Sequence, residues 1–92
     1  MEKKRVRVFI DGRVQGVCFR METRRAAEER GVDGWVRNLP NGKVEAVFEG
    51  EDSKVRSMLQ WCETGPPLAR VNRVEVENET PTDEFEGFRI AY

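Results

Sequence analysis

The hydrophobic period of the chain changes abruptly across one short loop, and this change constrains the fold more than any other feature. Residues 5–10 place an apolar side chain at every second position, the period of a half-buried strand. Residues 20–30 follow a helical period instead, and Gly31 is well placed to cap the end of that helix. A strand therefore leads directly into a helix through residues 12–20, which read GRVQGVCFR.

This loop has the composition of an anion-binding site. Where a strand, a short loop and a helix follow one another, backbone N–H groups converge and the helix dipole adds positive charge. Arg20 at the helix entry adds a full charge and a planar set of donors that suits a phosphoryl group. No Lys-Ser or Lys-Thr pair follows a second glycine, so the loop is not a nucleotide-binding P-loop, and Gly12 and Gly16 lack the spacing of a dinucleotide-binding fingerprint. On these residues alone, a plain connection with a solvated Arg20 stays open as the alternative.

A second segment predicts a β-hairpin. Residues 33–38 and 43–49 have strand patterns, and residues 40–42 between them, Pro-Asn-Gly, are strong turn formers. Asn38 lies where the first of these strands ends. Its amide has two open interpretations, which are a hydrogen bond to the backbone of the turn and a functional role.

The remaining patterns complete a β-α-β-β-α-β order with a short additional strand. Residues 55–62 predict a second amphipathic helix, and residues 70–79 alternate again, with Val74 and Val76 predicted to face inward. Residues 88–91 predict a short last strand. This order predicts an α+β, ferredoxin-like sandwich, an antiparallel sheet with two helices on one face. That topology places the first and third strands side by side at the centre.

Length and composition limit what the chain can do. The 92 residues fit a single domain, residues 1–92, with one core and one shallow site. The 16 Lys and Arg residues are balanced by 17 Asp and Glu residues, which argues against nucleic-acid binding. The 36% of charged residues fits either a heat-adapted protein or a small, strongly solvated domain.

Several chemistries are excluded by residue type. The sequence has no histidine, which removes Ser-His and Cys-His nucleophile pairs and the commonest zinc ligand, and it has no metal-binding motif. Cys18 and Cys62 are expected to be small buried side chains in a reducing compartment. No signal peptide or membrane-spanning run is visible, so we expect a cytoplasmic location and no membrane partner. The charged edge strands favour a monomer.

Together, the two segments closely resemble the acylphosphatase family. Residues 12–20 are similar to its phosphate-binding signature, Gly-Arg-Val-Gln-Gly-Val-x-Phe-Arg, with Cys18 in the variable position. The second signature of the family is matched by Gly34, Trp35, Val36, Arg37, Asn38, Gly42, Val44 and Gly50. The resemblance covers nearly the whole chain. It implies an enzyme with a ferredoxin-like fold that hydrolyses the carboxyl-phosphate bond of small acyl phosphates.

The resemblance also implies a role for each site residue. Arg20 matches the arginine that binds the phosphoryl group and stabilises its transition state, and Asn38 matches the asparagine that orients the attacking water. The backbone amides that match the phosphate-binding loop are those of Gln15, Gly16, Val17, Cys18 and Phe19. The family implies that the phosphate of the substrate accepts the proton of the water, and that no metal or cofactor is needed. The convergence of Arg20 and Asn38 is likewise implied by the family.

Two other classes of function share this topology. An RNA-recognition module would stack bases on the open face of the sheet, but Glu45 and Glu49 are predicted there and would repel phosphate. A non-catalytic binding domain, or a stand-alone relative of the acylphosphatase-like domain of hydrogenase-maturation proteins, is the other alternative. The presence of both Arg20 and Asn38 argues against an inactive site.

Overall fold

The structure is a computed structural model that describes residues 2–92 of the chain. Its elements follow in the order β1 (Lys3–Arg13), α1 (Phe19–Arg30), β2 (Asp33–Asn38), β3 (Val44–Glu51), α2 (Asp52–Thr64), β4 (Arg70–Glu79) and β5 (Phe88–Ile90). The order of strands and helices agrees with the sequence pattern. Gly31 adopts a φ of 69° after α1, and its backbone N–H bonds to the last turn of the helix, as predicted for a C-cap.

The five strands form one sheet in the order β4-β1-β3-β2-β5. Strand β1 lies between β4 and β3 and pairs antiparallel with both, and β3 pairs antiparallel with β2. The ferredoxin-like fold is confirmed, including the neighbouring first and third strands. No helix within residues 2–92 has both the length and the apolar character that crossing a membrane requires.

One strand pair differs from the expected antiparallel sheet, because β5 runs parallel to β2. The reason lies in residues 80–87, which leave β4 at one edge of the sheet and enter β5 at the opposite edge. Since this segment crosses at one end of the sheet, β5 must run opposite to β4, which is the direction of β2. The carboxylate of Glu49 fixes the crossing by accepting the N–H groups of Thr82 and Asp83, at 3.0 and 2.8 Å.

The core lies between the two helices and one face of the sheet. Helix α1 contributes a buried stripe that includes Phe19 and Ala27, and α2 contributes a second stripe that includes Met58 and Cys62. The interior strand β1 contributes Val6, Val8 and Ile10, all fully buried. The apolar periods read from the sequence therefore place these side chains correctly.

The opposite face of the sheet is covered by an ion-pair network and not by a third layer. Glu45 and Glu49 were predicted to face outward, yet they are only 4% and 3% exposed. Arg7 and Arg37 reach Glu45 at 2.6 and 2.7 Å, and Arg5 reaches Glu49 at 3.3 Å. The arginine side chains lie over the carboxylates, so this face offers no bare platform for stacking bases.

Candidate active site

The ends of three strands meet above one end of the sheet. Strands β1, β2 and β5 run in the same direction, so the chain leaves all three at this end. A shallow cavity of about 270 Å³ opens there, slightly smaller than the ~300–1,000 Å³ of typical small-molecule sites. Its walls are formed by Val14, Gly16, Cys18, Phe19, Arg20, Met21, Asn38, Ile90 and Tyr92.

The loop from β1 to α1 presents unused backbone donors. Gly16 and Cys18 both have left-handed backbone conformations, with φ values of 73° and 62°. Alternating conformations of this kind turn successive N–H groups into one concave surface. Among the backbone hydrogen bonds that turns, loops and helix caps form in the described chain, none has its N–H donor in residues 15–19. Helix α1 also begins without a side-chain cap, so its first turn keeps its donors free.

Arg20 reaches the cavity with its donors unpaired. The side chain is half-buried, and no carboxylate of residues 2–92 forms an ion pair with it. Its guanidinium carbon lies 5.1 Å from the centre of the Tyr92 ring, within the range of a cation–π contact. The ring covers one side of the guanidinium group and leaves the N–H edges available to an anion.

Asn38 contributes a buried oxygen that has no partner. Its Oδ1 atom is buried without a hydrogen bond among the described residues, although a buried polar atom of this kind is usually satisfied. The turn does not use it, because Asn41 Oδ1 accepts the N–H of Lys43 at 3.0 Å instead. No hydrogen bond of Asn38 Oδ1 within the described chain supports a turn-capping role, and Asn38 lines the cavity that Arg20 also lines.

Gln15 ties the loop to the β2–β3 turn. Its Nε2 atom donates to the backbone oxygens of Leu39 and Lys43, at 2.8 and 2.9 Å. These two carbonyl groups also bracket the turn, in which Leu39 N–H bonds to Lys43 O at 2.8 Å. The side chain of Gln15 thus fixes the distance between the loop and the strand end that carries Asn38.

The family model of acylphosphatase matches residues 6–90. The chain belongs to the acylphosphatase family. An acylphosphatase of Rubrobacter xylanophilus is 57% identical over 89 residues, covering 97% of this chain and 81% of that protein. An acylphosphatase of Roseiflexus sp. (strain RS-1) is 56% identical over 92 residues, covering 100% of this chain and 99% of that protein. The crystal structure of acylphosphatase from Bacillus subtilis aligns with a TM-score of 0.93 at 32% identity, covering 97% of this chain and 99% of that chain.

These comparisons confirm the resemblance, the fold and the prediction of an enzyme. Acylphosphatases are hydrolases, so the chain is an enzyme of this class and acts on small-molecule substrates. The structure adds that Arg20 and Asn38 line one cavity. Residues 2–92 contain no cluster of three or more His, Cys, Asp or Glu side chains that could hold a metal ion.

The other loop residues of the acylphosphatase divide into two groups. Gly16, Cys18 and Phe19 line the cavity, whereas the side chains of Gln15 and Val17 do not. Val17 is buried in the core, as is Phe19, so both anchor the loop from below. Cys18 is exposed, and the expectation of a buried side chain is wrong at this position. The left-handed conformation turns its side chain away from the core.

Sequence reasoning missed four residues of the cavity wall, which are Val14, Met21, Ile90 and Tyr92. Val14 is a fully buried core residue at the floor of the loop. Met21 lies outside the buried stripe of α1, so the helical period already predicted an exposed apolar side chain beside Arg20. That prediction could have indicated a contact with the substrate. The other two depend on β5, whose parallel partner β2 cannot be read from three residues of strand.

A larger groove of about 600 Å³ lies elsewhere, between α2 and the edge strand β4. It forms because α2 does not extend over the outer part of β4. Val74 is half-buried there and Val76 is exposed, so the prediction that both face the core is wrong for Val76. The groove is separate from the loop, from Arg20 and from Asn38.

Proposed function

We propose that the enzyme hydrolyses small acyl phosphates to a carboxylate and inorganic phosphate by direct attack of a water molecule on phosphorus. One observation carries this proposal most strongly: Asn38, whose Oδ1 atom has no hydrogen-bond partner among residues 2–92, and Arg20, whose guanidinium group has no ion-pair partner there, line the same cavity. A side-chain amide that can orient a water and a donor set for a phosphoryl group are thereby brought together.

The phosphoryl group would bind to the loop. The free N–H groups of residues 15–19, the first turn of α1 and Arg20 provide the donors, and the helix dipole adds favourable potential. As bonding to the leaving group weakens, negative charge spreads over the phosphoryl oxygens. A planar, always-charged guanidinium group stabilises that charge through paired hydrogen bonds.

Asn38 would hold the attacking water. Its Oδ1 atom, which has no partner in the described chain, would accept a hydrogen bond from the water and thereby direct the oxygen lone pair toward phosphorus. The new O–P bond forms as the bond between phosphorus and the carboxyl oxygen breaks, and the carboxylate leaves with the electron pair. The water proton passes to an oxygen of the transferred phosphoryl group, so the site requires no histidine and no other general base.

The chemistry of the leaving group explains why few side chains suffice. A carboxylate is a stable anion and leaves without protonation by an acid. Positioning and electrostatic stabilisation then supply most of the acceleration. A phosphate monoester has a much poorer alkoxide leaving group, and we expect it to be a poor substrate.

The proposal is tested with acetyl phosphate before and after dialysis against EDTA. We expect equal kcat values, and Arg20→Ala should lower kcat by at least about 10³-fold, the scale for arginines that stabilise phosphoryl transfer. Arg20→Lys should also be strongly impaired, because an ammonium group cannot form the paired contact. Arg24→Ala is the matched control, since Arg24 is exposed one turn further along α1. Hydrolysis in H₂¹⁸O should label phosphate and not acetate.

Two results would contradict the mechanism. Loss of activity on dialysis that only a divalent ion restores would require a metal. Label in acetate would show attack at the carbonyl carbon.

We further propose that residues 1–92 form a single domain with a phosphate-binding loop. We propose that the enzyme is a monomer, that it acts in the cytoplasm and that it has no nucleic-acid partner. The edge strand β4 supports the monomer, because Arg73, Glu75 and Glu77 place charge along its free edge. The ion pairs over Glu45 and Glu49 support the absence of a nucleic-acid partner. Size-exclusion chromatography with light scattering tests the oligomeric state.

A further inference from the structure

We infer that Met21 and Tyr92 form an acyl-binding subsite beside the phosphoryl-binding loop, and that this subsite favours uncharged, apolar acyl groups. The inference rests on the proposed function, because it identifies the part of the substrate that lies outside the loop. It adds a basis for substrate preference that the loop and Asn38 do not provide.

The first observation is the placement of exposed apolar side chains. Within residues 2–92, the large hydrophobic side chains that are exposed are Met21 (54%), Leu68 (73%), Val76 (46%) and Tyr92 (95%). Single exposed apolar side chains are common on protein surfaces, but neighbouring ones often mark binding sites. Two of these four line the cavity, and the half-buried Ile90 lies between the site and β2. The rim is therefore apolar where the loop is polar.

The second observation is that the backbone is fixed up to the residue before Tyr92, close to Arg20. The N–H of Ala91 bonds to Val36 O at 2.8 Å, which extends the β5–β2 pairing to the residue before Tyr92. The ring then contacts the Arg20 guanidinium group at 5.1 Å. A phosphoryl group bound by Arg20 carries its acyl group through a single oxygen atom. The acyl group consequently begins within a few bond lengths of this ring.

The third observation concerns charge. Among the described side chains that line the cavity, Arg20 alone is charged, and the bound phosphoryl group occupies its donors. A carboxylate group on the acyl chain would lose hydration there without gaining a partner. An alkyl chain instead removes apolar surface of Met21 and Tyr92 from water. The site therefore selects by contact area and against negative charge on the acyl group.

The test compares kcat/KM for hexanoyl phosphate with kcat/KM for acetyl phosphate. The two carboxylates have nearly the same basicity, so the ratio reports contacts of the acyl chain and not leaving-group chemistry. We expect a ratio of about 15 for the parent enzyme, because four half-buried methylene groups contribute about 1.6 kcal/mol at ~0.8 kcal/mol for each fully buried one. Met21→Ser and Tyr92→Ser should each lower this ratio to about 5 or less.

Leu68→Ser is the matched control. It removes an exposed apolar side chain that does not line the cavity, so its ratio should equal that of the parent. Using the ratio also removes any effect of Tyr92 on the placement of Arg20, since that effect acts on both substrates. Competitive inhibition by hexylphosphonate and methylphosphonate gives the same comparison without turnover, should a variant be too slow to assay.

The outcomes separate the two proposals. If the parent hydrolyses neither acyl phosphate, the proposed function fails and the subsite fails with it. If the parent hydrolyses both with a ratio near 1, or if both serine variants keep the parent ratio, the function stands and the subsite is refuted. A reduced ratio in Met21→Ser and Tyr92→Ser, together with a parental ratio in Leu68→Ser, supports the subsite.

Discussion

Gln15 offers a sharp test of how the loop and the strand end are held together. Gln15→Ala removes the two hydrogen bonds that Nε2 donates to Leu39 O and Lys43 O. At about 1 kcal/mol for each bond, the free energy of unfolding should fall by about 2 kcal/mol. Because the turn begins immediately after Asn38, we also expect kcat for acetyl phosphate to fall about tenfold.

Gln15→Glu sharpens the prediction. It keeps the shape of the side chain but turns a carboxylate toward two carbonyl oxygens, so it should be more destabilising than Gln15→Ala at neutral pH. The two carbonyl oxygens raise the pKa of the introduced carboxyl in the folded protein, and protonation restores a donor. The difference between the two variants should therefore shrink as the pH falls through that raised pKa, and the shrinkage should be complete near about 4.3, the usual pKa of a glutamic acid. Stability is measured by urea unfolding at several pH values.

Asn41→Ala is the control, because its exposed Oδ1 bonds within the same turn without reaching the loop. We expect a loss of about 0.5 kcal/mol and an unchanged kcat. Equal effects of Gln15→Ala and Asn41→Ala on both stability and kcat would refute the view that Gln15 connects the two halves of the site.

Further predictions concern other parts of the fold. Gly34→Ala should destabilise the protein by at least about 3 kcal/mol in urea unfolding, because φ is 138° and an added Cβ would lie 1.8 Å from a backbone oxygen of β3; a loss under 1 kcal/mol would contradict this geometry. Hydrogen bonds from Arg5 and Arg7, which lie on the same face of β1, lower the pKa of Glu79 below 4.5. Its stabilisation is therefore present above that pH and is lost as the pH falls through the lowered value, so Glu79→Gln should flatten the decline in stability between about pH 5 and pH 3. Iodoacetamide should modify Cys18 in the native protein and spare Cys62, whose pKa burial raises to about 12; peptide mass mapping that finds both modified would contradict this.

Periodicity and turn chemistry were sufficient to predict most of the fold. The alternation in β1 and the helical stripe of α1 correctly identified Val6 and Phe19 as core residues. The β-α-β order also explains why the ends of β1 and β2 lie at one end of the sheet. Local patterns do not specify which strand an edge segment joins, so the parallel pairing of β5 required the structure.

The candidate site was only partly predictable. The two signatures identified Arg20 and Asn38, and the structure shows that both line one cavity. The side-chain bonds of Gln15 and the approach of Tyr92 depend on contacts between segments distant in sequence. The burial of Glu45 was unpredictable for a related reason, since alternation assigns a face but does not reveal what covers it.

Substitution of Asn38 by alanine tests the central claim most directly. If Asn38 orients the attacking water, its contribution is made mainly in the transition state. We therefore expect kcat for acetyl phosphate to fall by about 10²-fold or more in Asn38→Ala, while the inhibition constant of inorganic phosphate changes by less than about threefold. Removing a buried oxygen that has no hydrogen-bond partner should not lower stability through a lost bond. A variant with near-normal kcat and a reduced free energy of unfolding would show that Asn38 serves the fold and would contradict the proposed mechanism.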